Sequence, residues 1–394
     1  MNAIETWRQD TPGCQSKVHF NNAGASLVPT PVLRATLDYL SLEAVTGGYE
    51  TADLKADAIK GFYASMARLL NTQPGNLSFQ SSATSAFAIA LSSIPFNSGD
   101  KILIAAEDYI SNQIAFLSMQ KRFGVELIRA NSLPEGGVDV DHMRQLMDKH
   151  KPKLVSLTHV PTNTGLIQPV EAVGALCRDR DILYLVDACQ SVGQLPLDVN
   201  KIHCDFLSGT FRKFLRGPRG TGFLFTSDRI LQGDFEPLFI DMRGADWTGA
   251  NEYARRPDGR RFEEWEMPYP LIVGCATAAD YAMNVGLETI RDRNANLGRL
   301  VRNKITGIGL RLLDRGHKLS SIITVQIPGK ESTFILNNLR KRDINTSIAQ
   351  HSSAILDFDA KGVTWALRIS PHYYNTEAEV DRLIQALKEV VDQT

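Results

Sequence analysis

The residues that could carry out chemistry lie between positions 183 and 225 of this 394-residue chain. Asp187 ends an apolar run, Gln190 follows it, and a second apolar run leads into the sequence SGTFRKF, which contains Lys213. Arginines stand close to this lysine at positions 212, 216 and 219. Cationic neighbours lower the pKa of a lysine amine and leave it free to form an imine, and arginines bind phosphate through paired hydrogen bonds.

An acid, a lysine and a group of cations in this order suit one cofactor. The lysine can form an imine with an aldehyde, the arginines and hydroxyls can bind a phosphate, and the acid can balance a ring cation. These are the three interactions by which a protein binds and activates pyridoxal 5′-phosphate (PLP). On composition alone, an exposed loop lysine and a helix-capping aspartate would explain Lys213 and Asp187 equally well.

The order of the motifs favours the cofactor. D-x-x-Q at 187–190, C-D-F at 204–206 and R-K-F-L-x-G-P-x-G-x-G at 212–222 together resemble the class V aminotransferase family of fold-type I PLP enzymes. That family includes cysteine desulfurases, selenocysteine lyases, isopenicillin N epimerase-like proteins and C–S lyases of ergothioneine biosynthesis. The resemblance covers nearly the whole chain and implies that Lys213 holds PLP.

The resemblance implies a role for each residue around the cofactor ring. Lys213 is the expected catalytic residue, which forms the imine and then removes the Cα proton of an amino acid. Asp187 is expected to keep the ring nitrogen protonated, and Gln190 to bind the ring hydroxyl. Tyr109 falls where desulfurases carry a histidine and is expected to stack on the ring, although a tyrosine of the core is the alternative.

Five residues match positions that bind the cofactor phosphate in the family. Ala83, through its N–H, and Thr84 open a predicted helix, and free N–H groups at a helix start bind anions. Plain capping of the helix is the commoner use of such residues. Thr210 and Arg212 stand where relatives have a serine and a histidine. Tyr269 lies near the position at which a segment of relatives reaches the phosphate of the neighbouring subunit, or else it lies in a plain surface loop.

The implied substrate site draws on three parts of the chain. Asn22 and Ala23 match the segment at the substrate-binding mouth, where an ordinary loop is the alternative. Arg368 matches the arginine that clamps the α-carboxylate, although an arginine at a strand end is usually a surface ion pair. Thr162 fills the position of an asparagine near the ring and Asn163 follows it, so the residue that contacts the cofactor stays open between them.

The resemblance leaves the reaction open among several classes. Persulfide-forming cysteine desulfurases carry a cysteine on a loop before Arg368, but residues 344–363 contain none and the last cysteine is Cys275. His351 lies in that region and could meet the leaving group of the substrate, although a solvated loop is the alternative. We expect β-elimination at a C–S bond of a cysteine-derived or cysteine sulfoxide substrate, giving pyruvate and ammonia. An aminotransferase, an epimerase and a binding protein without catalysis are the alternatives.

The elements that must position these residues follow an alternating pattern. Strands alternate with helices through the first half of the chain, which predicts an α/β fold with a parallel, doubly wound sheet. Ligands of such sheets lie at the carboxyl ends of the strands. The cofactor candidates that follow predicted strands are Thr84, Tyr109, Thr162, Asp187 and Lys213.

The resemblance completes the domain organisation. It implies a mainly parallel seven-stranded sheet in a large PLP-binding domain over residues 16–289. A small α+β domain is expected over residues 290–394, completed by the N-terminal segment 1–15. Within the large domain, residues 54–70 show helical apolar spacing, and the polar, glycine-containing residues 241–259 are expected to form a loop over the site.

Composition and charge narrow the class of protein. The hydrophobic content of 43% and the net charge of −1 are ordinary for a globular protein, and neither indicates nucleic acid or a membrane as a partner. Five scattered cysteines without a C-x-x-C pair predict neither a disulfide framework nor a metal site. No apolar leader precedes the first charges, so we expect a cytoplasmic protein. The resemblance implies a homodimer with shared active sites and an amino-acid substrate.

Overall fold

Seven strands form the central sheet of the protein, whose structure is a computed structural model that describes residues 3–392. Numbered in chain order and given in spatial order, they are β2 (Leu77–Gln80), β8 (Gly222–Thr226), β7 (Phe206–Thr210), β6 (Leu183–Asp187), β5 (Leu154–Thr158), β3 (Lys101–Ile104) and β4 (Glu126–Arg129). The five strands from β7 to β4 run parallel, whereas β8 is antiparallel to both of its neighbours. The predicted α/β fold with a mainly parallel seven-stranded sheet is confirmed.

Helices pack on both faces of this sheet. In chain order the helices are α1 (Ala3–Gln9), α2 (Thr30–Thr46), α3 (Gly48–Leu54), α4 (Ala56–Leu70), α5 (Ala83–Ser92), α6 (Ile110–Phe123), α7 (Val140–His150), α8 (Val170–Arg178), α9 (Val199–Ile202), α10 (Asp228–Gln232), α11 (Tyr269–Val285), α12 (Leu287–Gly307), α13 (Ser332–Lys341), α14 (Ile355–Lys361) and α15 (Glu377–Asp392). Side chains alternate along each strand. Leu185 therefore packs in the apolar cluster with α5, and Val186 in the cluster with α4 and α11. None of the helices within residues 3–392 is long and apolar enough to cross a lipid bilayer.

A smaller antiparallel sheet follows in the C-terminal part. It contains, in spatial order, β11 (Arg311–Leu312), β12 (Ile323–Gln326), β15 (Trp365–Ile369) and β14 (Ser347–Gln350), and β1 (Val18–His19) pairs in parallel with β13 (Ile344–Asn345) nearby. Residues of β12, β15, α12, α13 and α15 share one apolar cluster, which Val18 and Phe20 join from the N-terminal part. The predicted boundary between residues 289 and 290 falls inside α12. The division into domains stays a prediction.

Two sequence-based expectations about local structure were wrong. Residues 54–70 do not form one helix, because α3 ends at Leu54 and α4 begins at Ala56, with Lys55 outside helical geometry between them. The expected loop 241–259 contains an antiparallel hairpin of β9 (Ala245–Gly249) and β10 (Glu252–Arg255). Its residues are mostly exposed, so the hairpin lacks the buried face whose alternating apolar residues would have revealed it.

Candidate active site

The carboxyl ends of five strands meet at one edge of the central sheet. β3, β5, β6 and β7 are parallel, and β2 runs in the same direction because both β2 and β7 are antiparallel to β8. The segments that follow these strand ends carry Thr84, Tyr109, Thr162 and Lys213, while Asp187 is the last residue of β6. The chain therefore brings the candidate residues to the edge where ligands of parallel sheets bind.

Lys213 is buried at this edge, with 7% of its surface exposed. Its Nζ lies 5.8 Å from the ring centroid of Tyr109 and makes no hydrogen bond or ion pair with any residue in the described range 3–392. Burial lowers the pKa of the Lys213 amine. Arg212 and Arg368 lower the pKa further, while the carboxylate of Asp187 opposes them. An amine held in this way is available as a nucleophile and general base, because a lowered pKa leaves more of it unprotonated at a given pH.

The carboxylate of Asp187 is fixed on the protein side. The backbone N–H of Cys189 donates to Oδ1 at 2.8 Å, and Nδ2 of Asn112 donates to Oδ2 at 2.9 Å. Each carboxylate oxygen has a second lone pair, so the group can still accept a hydrogen bond from a ligand. Asp187 is thus a buried, oriented acceptor in the same site as the Lys213 amine.

The first turn of α5 forms a corner suited to an anion. Ser82 caps the helix by accepting the N–H of Ser85 at 3.0 Å, which leaves the N–H groups of the first helical residues without intrahelical partners. Gly222 of β8 lies against this turn, and a Cβ atom there would stand 2.6 Å from the nitrogen of Ala83. Thr210 of β7 pairs with Gly222 in register. The close backbone approach therefore needs glycine at position 222 and places a hydroxyl beside the helix start.

Arg212 and Thr210 reach different partners in this corner. The guanidinium of Arg212, which is half-buried, donates to the carbonyl of Gly24. The hydroxyl of Thr210 donates to the carbonyl of Thr221 at 3.2 Å. Arg212 therefore has further donors for an anion, whereas the hydroxyl proton of Thr210 already has an acceptor.

Gln190, Thr162 and Arg368 form a connected group. Nε2 of Gln190 donates to Oγ1 of Thr162 at 2.9 Å and to the carbonyl of Ala23 at 3.1 Å. Nη1 of Arg368 donates to the same Thr162 oxygen, and its Nε donates to Ser347 at 3.0 Å. Burial, with the charge of Arg212 second, lowers the pKa of Arg368 to about 10, so the guanidinium stays cationic at neutral pH. Of the two open candidates, the structure brings Thr162 into this group.

Three of the sequence-predicted residues point elsewhere. Nδ2 of Asn163 donates to the carboxylate of Asp357 on α14 at 2.8 Å. His351 is exposed and pairs with Asp359 at 2.7 Å. Tyr269, at the start of α11, lines a separate cavity of about 500 Å³. Their contacts with cofactor or substrate stay predictions.

Asn22 and Ala23 hold the N-terminal segment beside the site. Nδ2 of Asn22 donates to the carbonyl of Ser370 at 2.8 Å, and its Oδ1 accepts the hydroxyl of Tyr374 at 2.6 Å. The N–H of Ala23 donates to the Ser370 hydroxyl at 2.9 Å. Their polar groups thus connect the segment to the end of β15, and the carbonyl of Ala23 orients Gln190.

Arg216 does not belong to the anion-binding group at the start of α5, although the sequence suggested it as a phosphate partner. It is fully buried and donates to the Leu27 carbonyl at 2.9 Å, to the Tyr373 hydroxyl at 2.7 Å and to the hydroxyl of Thr11. Its guanidinium carbon also lies 4.3 Å from the ring centroid of Tyr374. The role is structural, because the side chain joins three segments that are distant in sequence.

A comparison of the whole chain with known families decides its membership. Residues 18–383 match the family described as aminotransferase class-V. The chain belongs to the class-V aminotransferase family. Its cofactor is therefore PLP, as the motifs predicted, and both the family and the cofactor predictions are confirmed.

Relatives of this class-V protein carry more than one activity in their names. The chain is 26% identical to a probable cysteine desulfurase of Methanothermobacter thermautotrophicus over 98% of each chain. It is also 26% identical to a probable hercynylcysteine sulfoxide lyase of Mycobacterium tuberculosis, over 97% of this chain and 92% of that one. The fold matches that of the apo cysteine desulfurase from Thermococcus onnurineus with a TM-score of 0.93, covering 100% of this chain and 99% of that chain at 22% identity.

The residues at the strand ends fit PLP. Among the described residues 3–392, the buried Lys213 amine has no hydrogen-bond partner, which costs free energy unless a ligand engages it. Oε1 of Gln190 is also buried and has no donor within the same described residues, so it can accept a hydrogen bond from a ring hydroxyl. The start of α5 would hold the phosphate, Asp187 the ring nitrogen and Lys213 the aldehyde carbon of the cofactor.

Sequence reasoning missed two polar residues of this class-V site. Asn112, in the first turn of α6, donates to Asp187, and Asp108 accepts from Asn112 at 3.0 Å. Both lie in the segment around Tyr109, where the family motif predicts only the stacking ring. The spacing of four residues between Asp108 and Asn112 is typical of side chains that meet at a helix start, and could have revealed the pair.

Proposed function

We propose that this class-V protein is a PLP-dependent lyase that cleaves the C–S bond of a cysteine-derived amino acid. The reaction takes the substrate R–S–CH₂–CH(NH₃⁺)–COO⁻ and water to pyruvate, ammonium and the sulfur-containing fragment. The observation that supports a lyase over a persulfide-forming desulfurase is the structure of residues 344–363. They form β13, β14, a short helix and α14, and they contain no cysteine that could accept sulfur.

The remaining cysteines are poor sulfur acceptors. Cys189 stands two residues after Asp187, and burial raises the pKa of its thiol, with the Asp187 charge second. Burial raises the thiol pKa of Cys177, Cys204 and Cys275 as well, and that of Cys14 to about 11. Because the thiolate is the form that attacks sulfur, none of these side chains supplies a ready nucleophile at neutral pH.

Arg368 would bind the substrate carboxylate. Its side chain is half-buried and cationic, and Thr162 and Ser347 fix it through Nη1 and Nε. The remaining donors can form the paired hydrogen bonds that a planar guanidinium makes to a carboxylate. The substrate Cα would thereby be presented to the edge of the sheet that carries Lys213.

Lys213 would act as the base at Cα. PLP, when bound, supplies an electron sink that weakens the Cα–H bond of an attached amino acid. The lowered pKa of the Lys213 amine means that it is unprotonated at a pH where an exposed lysine is charged, so it can accept the Cα proton. Asp187 would hold the proton at the ring nitrogen, and the electron pair left at Cα would expel the sulfur substituent.

A homodimer is part of the same proposal. Exposed apolar side chains cluster on α2 and on the segment before α11, namely Leu33, Leu37, Leu40, Phe239 and Trp247. Large exposed apolar surfaces mark interaction sites, and a second copy of this chain would cover them. In sedimentation experiments the protein should run as a dimer, and Leu37→Glu should shift it toward the monomer. A monomeric wild-type protein at micromolar concentration would contradict this part of the proposal.

A substrate panel tests the reaction. The purified holoenzyme is mixed with cysteine, cystine, S-substituted cysteines and their sulfoxides, and the release of pyruvate and ammonium is measured together with the visible spectrum of the cofactor. At least one sulfur-bearing substrate should yield pyruvate and ammonium in equal amounts. If none does, and Cα–H exchange in deuterated water or keto-acid formation without ammonium appears instead, the protein is an epimerase or an aminotransferase. Lys213→Ala should remove turnover, and Lys341→Ala, at an exposed position on α13, is its control.

A further inference from the structure

The amide of Asn112 lies between two carboxylates. Nδ2 is 2.9 Å from Oδ2 of Asp187 and 3.0 Å from Oδ1 of Asp108, so one amide hydrogen is directed to each. Only 3% of the surface of Asn112 is exposed, so water does not compete for these hydrogen bonds. A reversed amide would direct its oxygen at both negative groups. The two charges therefore fix the orientation in which Asn112 donates.

Asp108 is itself anchored from two elements. It accepts the N–H of Tyr109 at 2.7 Å and Nε2 of Gln113 at 2.8 Å, both at the start of α6. It also accepts the hydroxyl of Thr158, the last residue of β5. Thr158 is paired in register with Asp187 on the neighbouring strand. The network thus connects the backbone of Tyr109 with the acid of the site through Asp108 and Asn112.

We propose that Asn112, oriented by Asp108, is a positioning residue that fixes the Asp187 carboxylate against the ring nitrogen of PLP. The inference rests on the proposed function, in which Asp187 faces that nitrogen. With Cys189 donating to Oδ1 and Asn112 to Oδ2, rotation of the carboxylate would break a hydrogen bond on the protein side. The second lone pair of each oxygen remains available to the ring.

Removal of the Asn112 amide should change the affinity for PLP and the pH titration of its visible band, as well as the rate of the reaction. Without this donor the Asp187 carboxylate can turn away from the ring nitrogen, and the protonated ring then loses part of the negative charge that stabilises it. The ring nitrogen then holds its proton less firmly. PLP should bind about 10- to 100-fold more weakly, the range expected for one hydrogen bond to a charged group. The pH at which the visible band of the cofactor is half-titrated should rise. The reason is that a less protonated ring withdraws less electron density from the group that titrates.

The test compares Asn112→Ala with Gln113→Ala in the purified holoenzyme. Gln113 is the adjacent residue, and it donates to Asp108 but has no hydrogen bond to Asp187. The dissociation constant of PLP is measured by reconstitution, and the midpoint of the cofactor band by pH titration. Asn112→Ala should change both quantities, while Gln113→Ala should stay within about twofold of wild type, because three donors to Asp108 remain.

A second variant gives a signature that a purely structural role would not produce. Asn112→Asp keeps the size of the side chain but places a third carboxyl group between Asp108 and Asp187. At neutral pH the repulsion should weaken PLP binding at least as much as Asn112→Ala does. As the pH falls, the new carboxyl group becomes protonated and can donate to Asp187, so the deficit relative to wild type should shrink. This variant decides the question if Asn112→Ala does not fold.

Asp187→Ala separates failure of this inference from failure of the proposed function. If Asp187→Ala leaves both the PLP dissociation constant and the band midpoint unchanged, the proposed placement of the ring is wrong, and the role of Asn112 falls with it. If Asp187→Ala changes both quantities but Asn112→Ala matches Gln113→Ala, only the present inference is overturned. A deficit in Asn112→Asp that does not depend on pH overturns it as well.

Discussion

Nη1 of Arg368 lies 2.5 Å from Oγ1 of Thr162, which joins the end of the small sheet to the loop after β5. If this guanidinium binds the substrate carboxylate, Arg368→Leu should lower kcat/KM for amino acids by about 100-fold or more, because two charge-assisted hydrogen bonds are lost. The decisive measurement is discrimination: wild type should prefer an amino acid over its decarboxylated amine, and the variant should not. Arg340→Leu, on the exposed part of α13, should behave as wild type. A variant that retains the preference would remove Arg368 from the substrate site.

Thr162→Val tests the other half of this contact. The substitution keeps the shape of the side chain but removes the hydroxyl that accepts from both Gln190 and Arg368. Two donors of the site then lose their acceptor, so kcat/KM should fall about tenfold, with KM taking the larger share. Asn163→Ala provides the comparison, because its side chain contacts Asp357 instead. If Asn163→Ala lowers kcat/KM more than Thr162→Val, the family asparagine is replaced functionally by Asn163.

The buried Lys213 amine predicts a pH-dependent stability of the cofactor-free protein. Burial lowers its pKa in the folded protein below the ordinary value of 10.5. Between these two pKa values the unfolded chain binds the proton and the native protein does not, so the free energy of unfolding rises with pH. Below the folded-state pKa the destabilisation is complete. Lys213→Met should therefore melt above wild type, most clearly at low pH, and the difference should shrink as the pH approaches 10.5.

Thermal unfolding without PLP between about pH 6 and pH 10 checks this window. Lys341→Met, at an exposed position, is the matched control and should show a difference from wild type that does not vary with pH. A constant difference for Lys213→Met would mean that the amine keeps an ordinary pKa in the folded protein. Its assignment as the base at Cα would then lose its physical basis.

The sequence predicted the parts of the site that depend on short-range order. Apolar runs that end in Asp187 or lead into Lys213 define strands and their ends without help from the rest of the chain. Since parallel strands end at one edge of a sheet, the meeting of these residues follows from the alternation of strands and helices. The motif order then indicated the family and its cofactor, which the comparison confirmed.

The features that the sequence did not reveal depend on distant partners. Arg216 stands in the motif beside Lys213, yet its position is set by Tyr373, which is 157 residues away in the chain. The donor role of Asn112 requires the neighbouring strand that carries Asp187. The side chain of Asn163 turns to Asp357 on α14, 194 residues later. Spacing along a chain carries little information about such contacts, because they arise only when separate elements pack.

Arg216 should be a major contributor to stability. It is fully buried, and its three hydrogen-bond acceptors, Leu27, Tyr373 and Thr11, belong to three separate segments. Arg216→Met should lower the free energy of unfolding by about 3 kcal/mol or more, since buried acceptors lose a charged donor. Urea unfolding measures the change, with Arg219→Met as the control, because Arg219 is exposed in the same loop and should change stability by less than about 0.5 kcal/mol. Equal effects of the two substitutions would contradict the structural role.

The ion pair of Lys361 with Asp357 on α14 gives the last prediction. Nζ lies 2.8 Å from the carboxylate, and the side chains are 1% and 8% exposed, while Asn163 donates to the same carboxylate. Lys361→Met should lower the free energy of unfolding by about 3–5 kcal/mol, because a buried carboxylate loses its counter-charge. Lys304→Met is the control: its pair with Asp381 has the same 2.8 Å distance but is largely exposed, so the cost should stay below about 1 kcal/mol.

A double substitution identifies the cause of that loss. In Lys361→Met with Asp357→Asn the unpaired charge is gone, so much of the stability should return, because a neutral pair in a buried site avoids the desolvation of a lone carboxylate. Urea unfolding of the two single variants and the double variant forms the thermodynamic cycle. If the double variant is as unstable as the sum of the single ones, Lys361 stabilises α14 through the packing of its stem and not through its charge.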